Sequence, residues 1–271
     1  MKFYQIAKHN FLNNKKGILL YSFLLALLYF WFLSIFNPDS NIGMQQSITN
    51  SSELLYSFLN IENEVSVFLG FLNYYLFSFA WLYIGLYFTI KISQDVPTEV
   101  EEKTINLILS KPLKRYEFVS GKFLSYIFSN LVIISALFLA LISGIIVFPL
   151  ITISQIEFSA ILLSLILLSL HLLSIGVTAL AFSTFLNRRK SLTINFLVLI
   201  AFFILGQLYI LFPEEIQWIK YFSIFHYYNT SSLLLNTTLD FLALDILALS
   251  LYSIVLFIIS LIIFQNQNIP V

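Results

Sequence analysis

Apolar positions gather into six long runs, Gly17 to Phe36, Val65 to Ile90, Phe123 to Leu150, Phe158 to Leu186, Leu192 to Phe212 and Ile246 to Phe264. Each approaches or exceeds the roughly 20 residues that carry a helix across a hydrocarbon core. None alternates polar and apolar positions as a barrel strand does, and in lipid only helices or closed barrels satisfy every backbone hydrogen bond. The pattern predicts an all-α, polytopic membrane protein of six spanning helices. Runs three and four hold 28 and 29 residues. At about 1.5 Å per residue they outrun a core about 30 Å thick, so they must tilt, kink or protrude.

Between the second and third runs lies a polar stretch. Residues 91 to 122 hold eleven of the chain's 28 charged residues. Read as a helix from Thr98 to Ser110, the stretch places Val100, Thr104, Ile105, Leu107, Ile108 and Leu109 on one broad arc, with Glu99, Glu102, Lys103, Asn106 and Ser110 opposite. An arc that wide predicts burial on two sides, against the chain's own spans and against a second body. Pro112 then ends the helix.

Two further segments are amphipathic. Residues 3 to 14 set Phe3, Ile6, Ala7 and Phe11 on one face, which predicts a helix in the membrane interface within 1–16, ahead of the first span. The stretch Glu214 to Tyr228 is rich in Trp and Tyr, rings that favour the headgroup level. It predicts an aromatic loop over 213–245 that lies on the outer interface or dips into it.

Composition agrees: 59% of the residues are hydrophobic and 10% charged, against roughly 45–50% and 25% for soluble domains. Net charge is zero and points to no nucleic-acid partner. Its distribution is uneven, because thirteen of the fourteen Lys and Arg residues fall on one side of a six-span layout and only Lys220 on the other. Positive charge favours the cytoplasm. Both termini, the segment 91–122 and the loop 187–191 are therefore expected inside, and 37–64, 151–157 and 213–245 outside. This describes a multi-pass protein of a cell membrane, a prokaryotic inner or plasma membrane. The first run lacks a small-residue cleavage site and reads as a retained helix. Residues 1–271 form one transmembrane domain without internal repeat, and the absence of cysteine excludes disulfides and thiol chemistry.

Catalytic motifs are missing. A nucleotide-binding loop needs Gly-x-x-x-x-Gly-Lys-Ser/Thr, whereas Gly121-Lys122 has Tyr116 at the first position and Phe123 after it. The chain is expected to hydrolyse no ATP and to bind no cofactor. Glu101-Glu102, Glu214-Glu215, His171 and His226 are the raw material of an intramembrane protease. Their spacing fits no metal or carboxylate motif, and the layout divides them between the two faces. No catalytic or metal-ligating residue is assigned. His171 in the fourth run, with Asn195 and Gln207 in the fifth, supplies either a polar translocation path or hydrogen bonds between helices. As a hydrogen-bond partner His171 should be replaceable by Gln or Asn but not by Leu; as a protonatable element of the path it should not tolerate Gln.

In the polar stretch Glu99, Glu101, Thr104, Leu107, Leu109, Ser110, Pro112, Arg115, Glu117, Gly121 and Lys122 follow one another in an order that resembles the type-2 family of ABC transporter permeases. Lys103 stands where that family usually has glycine. The amphipathic N-terminal segment, the six spans, the basic turn Asn187-Arg188-Arg189-Lys190 and the aromatic outer segment extend the resemblance over most of the chain.

It implies that the helix between spans two and three is a coupling helix, docking through Glu99, Val100, Glu101, Thr104, Leu107, Ile108, Leu109, Pro112 and Arg115 on a separate ABC ATPase. It further implies two copies of that ATPase, which hold ATP and Mg, a second permease subunit that is an identical copy or a paralogue, and export of a substrate. Two alternatives stand beside it. One is a non-transporting membrane anchor, immunity or assembly protein, including a permease for the maturation of copper enzymes; the other is an intramembrane protease.

Overall fold

The computed structural model describes residues 2–38, 67–102, 114–151, 156–236 and 242–267. Among these residues the chain is almost wholly helical and contains no strand. Six helices are long and apolar enough to cross a membrane: α1 (Lys2–Ile35), α2 (Phe68–Glu101), α3 (Arg115–Val147), α4 (Phe158–Ser183), α5 (Arg188–Gln207) and α6 (Leu242–Asn266). They fall on the six apolar runs.

Three boundaries differ markedly from the sequence reading, one of them the start of α3 at Arg115, inside the segment 91–122 and eight residues ahead of the apolar run. The amphipathic segment 3–14 is helical, but it continues without a break into the first span, so α1 is one helix and not an interfacial piece followed by a span. Helix α2 likewise runs on from the second span through Pro97 to Glu101. Thr98 to Glu101 are thus the last turn of a spanning helix and not the first turn of a separate one.

Helix α4 forms the centre of the bundle. In its most apolar stretch 67% of the residues are buried, against 11% in α6, which lies at the edge. Small residues on α4 explain the difference, since helices in lipid pack closely where side chains are small. Gly176 receives the ring of Tyr126 from α3, and the Tyr126 hydroxyl donates to the Leu172 carbonyl. Ser174 and Thr178 meet Ser253 and Tyr252 of α6 at 3.0 and 2.8 Å.

The long α1–α3 contact is permitted by a glycine near each end of α3. A Cβ on Gly121 would stand 2.7 Å from Ile6 Cβ and 3.0 Å from the Phe3 carbonyl oxygen, and one on Gly144 would fall inside the Leu33 side chain.

Helix α2 is not uniform. It contains two π-helical turns, Asn73–Phe77 and Trp81–Gly85, a geometry that inserts a residue into the helix and is common near functional sites. Tyrosine hydroxyls converge on this stretch. Tyr29 of α1 donates to the Leu76 carbonyl at 3.0 Å, Tyr228 to that of Phe77 at 3.0 Å, Tyr83 to that of Tyr75 at 3.1 Å, and Tyr21 of α1 to that of Tyr83 at 2.8 Å. A phenol in lipid needs an acceptor, and the irregular turns present their carbonyls to these four.

The segment after α5 is a cap that re-enters the bundle. A 3₁₀ helix, Glu214–Phe222, lies against α5. The Ser223 hydroxyl then donates to the Phe202 carbonyl, and the turn that follows buries Ile224, Phe225 and Tyr228. Thr230 donates to the Asn73 side-chain oxygen at 2.7 Å. A last π-turn, Ser232–Asn236, packs on α4. The aromatic loop therefore dips into the protein, with Phe225 against Trp81 and Phe203 at ring distances of 5.1 and 5.5 Å.

Candidate functional site

Every charged side chain of the six helices except Asp245 falls at one end of the bundle, the end where α2 stops and α3 starts. Thr104, Leu107, Ile108, Leu109 and Pro112 lie outside the described residues. Their two stems do not, and both are pinned to neighbouring helices.

The stem on α2 carries Glu99, Val100 and Glu101. Glu99 turns inward to an ion pair with Lys122 of α3, although the helical wheel set it on the polar side opposite the docking arc. The reason is burial: the Lys122 side chain is 4% exposed, and an ammonium taken out of water requires opposite charge and hydrogen bonds. Asp95, one turn earlier, lies 3.9 Å from the same ammonium. Lys122 also donates to the Asn10 side-chain oxygen of α1 at 3.3 Å, and the Asn10 amide donates to Asp95 at 3.3 Å. Four side chains from three helices thus form one polar knot. Val100 packs half-buried against the apolar core. Glu101 stays exposed and accepts the Arg188 backbone N–H at 3.1 Å, while the Arg188 guanidinium donates to Gln94 at 3.0 Å. The start of α5 is thereby held to the end of α2.

The stem on α3 carries Arg115 and Glu117. The Glu117 carboxylate accepts the Lys114 N–H at 2.9 Å and closes the first turn of the helix. Arg115 donates to the Gln265 and Gln267 carbonyls, where a guanidinium satisfies the open C-terminal carbonyls of α6. Phe118 stacks on Phe264 beside it. Next to the knot a small, open recess lies between α1, α2 and α3, apolar at Ile18, Tyr87 and Phe123 and polar at Asn14 and Lys91.

The other three sequence candidates do not meet. Asn195 on α5 donates to Ser93 of α2 at 2.8 Å, to the Ala179 carbonyl of α4 at 3.3 Å and to Ser191 at 3.3 Å, so it ties three helices together. His171 on α4 is fully buried in an aromatic cage, stacked on Tyr228 at 4.5 Å and meeting Phe225 edge-on at 4.7 Å. Gln207 closes α5, about 18 Å along the helix from Asn195. Glu101 and the Glu214-Glu215 pair, candidates for a protease, belong to different elements, the first on α2 and the second on the 3₁₀ cap. Among the described residues no three His, Asp or Glu side chains gather in a metal-binding group.

Sequence reasoning missed the Lys122 knot. Its signal was present in the four-residue spacing of Asp95 and Glu99, which shares one helix face, but only if α2 is continued through Pro97.

A bundle of six spans, with a pinned charged end between spans two and three, is matched along nearly its whole length by a family model. The family model described as ABC-2 family transporter protein covers residues 5–269. The chain belongs to the ABC-2 transporter family. A comparison with curated proteins yields no match. Membership makes this ABC-2 protein a multi-pass transmembrane component of an ABC transporter, associated with an ABC ATPase and not itself the catalytic part. In that setting the basic end, with its two pinned stems, is the candidate site.

Proposed function

We propose that the chain is the permease subunit of an ABC exporter, with residues 103–113 and their stems forming the element that docks on the ATPase. Two ATPase copies bind and hydrolyse ATP with Mg on the cytoplasmic face of a prokaryotic plasma membrane. Two permease subunits, identical or paralogous, enclose the substrate path. On this reading ATP binding draws the ATPase pair together and displaces the docking element, and the spans follow as rigid bodies.

The observation that carries the reading is the anchoring of both stems. Glu99 and Glu101 fix the end of α2 to α3 and α5, and Arg115 fixes the start of α3 to α6. A loop with no mechanical duty has no need of stems tied to four helices. The apolar sequence positions Leu107, Ile108 and Leu109 between the stems suit contact with a partner, and the excess of Lys and Arg at the same end agrees with a cytoplasmic position.

The test is co-purification of the chain with an ABC ATPase, identified by its nucleotide-binding loop, followed by measurement of ATP hydrolysis. Leu107→Asp should insert into the membrane normally yet lose the ATPase, because burying a carboxylate in an apolar interface removes about 2 kcal/mol or more of binding. Retention of the ATPase with unchanged hydrolysis in this variant would refute docking through 103–113.

A further inference from the structure

Pro97 sits inside α2, between Asp95 and Glu99. A proline within a helix lacks the N–H that would bond the carbonyl four residues earlier, and its ring crowds that turn. Helix α2 therefore has a mechanically soft point one turn before it delivers the chain to residue 103. The Lys122 ammonium bridges this point. It contacts one carboxylate before the proline, Asp95, and one after it, Glu99.

The same ammonium donates to Asn10, which bonds Asp95 in turn. Beside it Gly121 lets the Ile6 side chain and the Phe3 backbone lie directly on α3. The pair Gly121-Lys122 thus does two things at once: the glycine admits the first turns of α1, and the lysine ties α1, α2 and α3 to one another.

We propose that Lys122 is a positioning residue that splints α2 across Pro97 and joins the N-terminal part of α1 to the two stems, so that displacement of 103–113 moves three helices as one body. The proposal rests on the reading that 103–113 docks the ATPase. Without the splint, a push on the docking element bends α2 at Pro97 and is lost there. With it, the push is carried into α1 and α3. A buried ion pair is weak evidence for net stability, and its best-attested use is to specify one geometry; a soft joint bridged by charge on both sides is a place where one geometry matters.

The chain has no cysteine, so spin labels can be placed singly. His9, Glu102 and Phe185 are exposed at this end. In the complex with the co-purified ATPase, distances for the pairs 9/102 and 102/185 are measured with and without trapping by ADP and vanadate. In the otherwise wild-type protein the 9/102 distribution should stay narrow and unmoved on trapping while the 102/185 distance shifts, because the exposed Arg188 contacts with Glu101 and Gln94 give way before the buried knot does. Lys122→Met should broaden and shift the 9/102 distribution on trapping.

Lys122→Met alone leaves two carboxylates facing each other and can fail to fold, so Asp95→Asn/Glu99→Gln/Lys122→Met removes every charge while keeping the shapes. This neutral variant should show the same loosening, and Lys122→Arg should not. Pro97→Ala in the neutral background should restore the narrow, unmoved distribution, because it removes the soft joint that needs the splint. A plain structural ion pair predicts no such rescue. If trapping moves neither pair in the wild type, or no ATPase is retained, the docking reading has failed and the splint with it. If the 102/185 distance responds normally but the neutral variant keeps the 9/102 pair rigid, or Pro97→Ala gives no rescue, the splint alone is wrong.

Discussion

His171 shows how far geometry revises an expectation based on residue type. Its ring stacks on Tyr228 and meets Phe225 edge-on, and both partners belong to the re-entrant cap. Neither ring nitrogen reaches hydrogen-bonding geometry with a described residue, and the Ile224 backbone of the same cap is a polar neighbour. The side chain therefore holds the cap to α4 as a flat ring. Each aromatic contact contributes about 0.5–1.5 kcal/mol beyond burial, so loss of both costs about 1–3 kcal/mol. His171→Phe keeps both contacts and replaces two polar atoms by apolar ones of similar shape, a change that is close to neutral or stabilising. His171→Leu loses the contacts, and His171→Gln loses them and also buries an amide in an aromatic cage, which adds about 1–3 kcal/mol. The expected order is Phe at or above wild type, then Leu, then Gln, the reverse of the order expected from a hydrogen-bonded histidine. Because large membrane proteins often unfold irreversibly, the measurement is the half-life of the folded protein in detergent at one fixed temperature. A Gln variant longer-lived than the Leu variant refutes the ring argument. A Phe variant that is stable but no longer transports or couples to ATP assigns the imidazole to the substrate path.

Glycine contacts give a second expectation. Gly121→Ala drives a Cβ against Ile6 and the Phe3 backbone and should destabilise by about 1–3 kcal/mol through overpacking; Gly17→Ala, with nothing within 4 Å, should be neutral or gain about 0.5–1 kcal/mol from helix propensity. Thermal half-lives of the two variants check the contrast. A third expectation concerns pH. Burial and the nearby Lys220 ammonium hold the His226 pKa below its ordinary 6.5, so below about pH 6.5 the unfolded chain binds a proton that the folded one resists, and stability falls as pH drops through that range. His226→Gln should flatten this loss, and an unchanged pH profile of the half-life would count against it. A fourth concerns orientation: single cysteines at 114 and 188 should be shielded from an impermeant thiol reagent in intact cells and those at 46 and 215 labelled, with labelling at 188 overturning the topology.

The six spans were legible because crossing a membrane depends on length and apolarity, which are properties of a run and need no knowledge of neighbours. Most of their boundaries were legible for the same reason. The start of the first span was not. Lys15, Lys16 and Gly17 read as a break between an interfacial helix and a span, but a glycine within a helix costs only about 1 kcal/mol, and the contact of α1 with α3 on both sides of that point, at Ile6 and at Leu33, outweighs it. Pro97 poses a related problem. A proline next to Thr98 resembles a first helical position, and nothing local distinguishes that from a proline crossed in mid-helix. In lipid such a proline is tolerated when side chains and neighbouring helices meet the freed groups. Here Asn195 of α5 donates to the Ser93 hydroxyl, four residues before Pro97, and so brings a neighbouring helix against the interrupted turn.

The site was legible as a segment but not as a geometry. The apolar arc and the crowding of charge marked 91–122 as the candidate docking segment, and both are local patterns. The direction in which Glu99 points is not local. It depends on Lys122, 23 residues further on, being buried in a contact that Gly121 makes possible with α1, so three segments have to be placed before one side chain can be assigned. The π-turns of α2 follow the same logic. No residue type announces them, because the carbonyls they present are met by Tyr21 and Tyr29 of α1 and by Tyr228 of the cap, up to 151 residues away. Where the cause of a local shape lies in another helix, a single run of sequence carries the consequence without the reason.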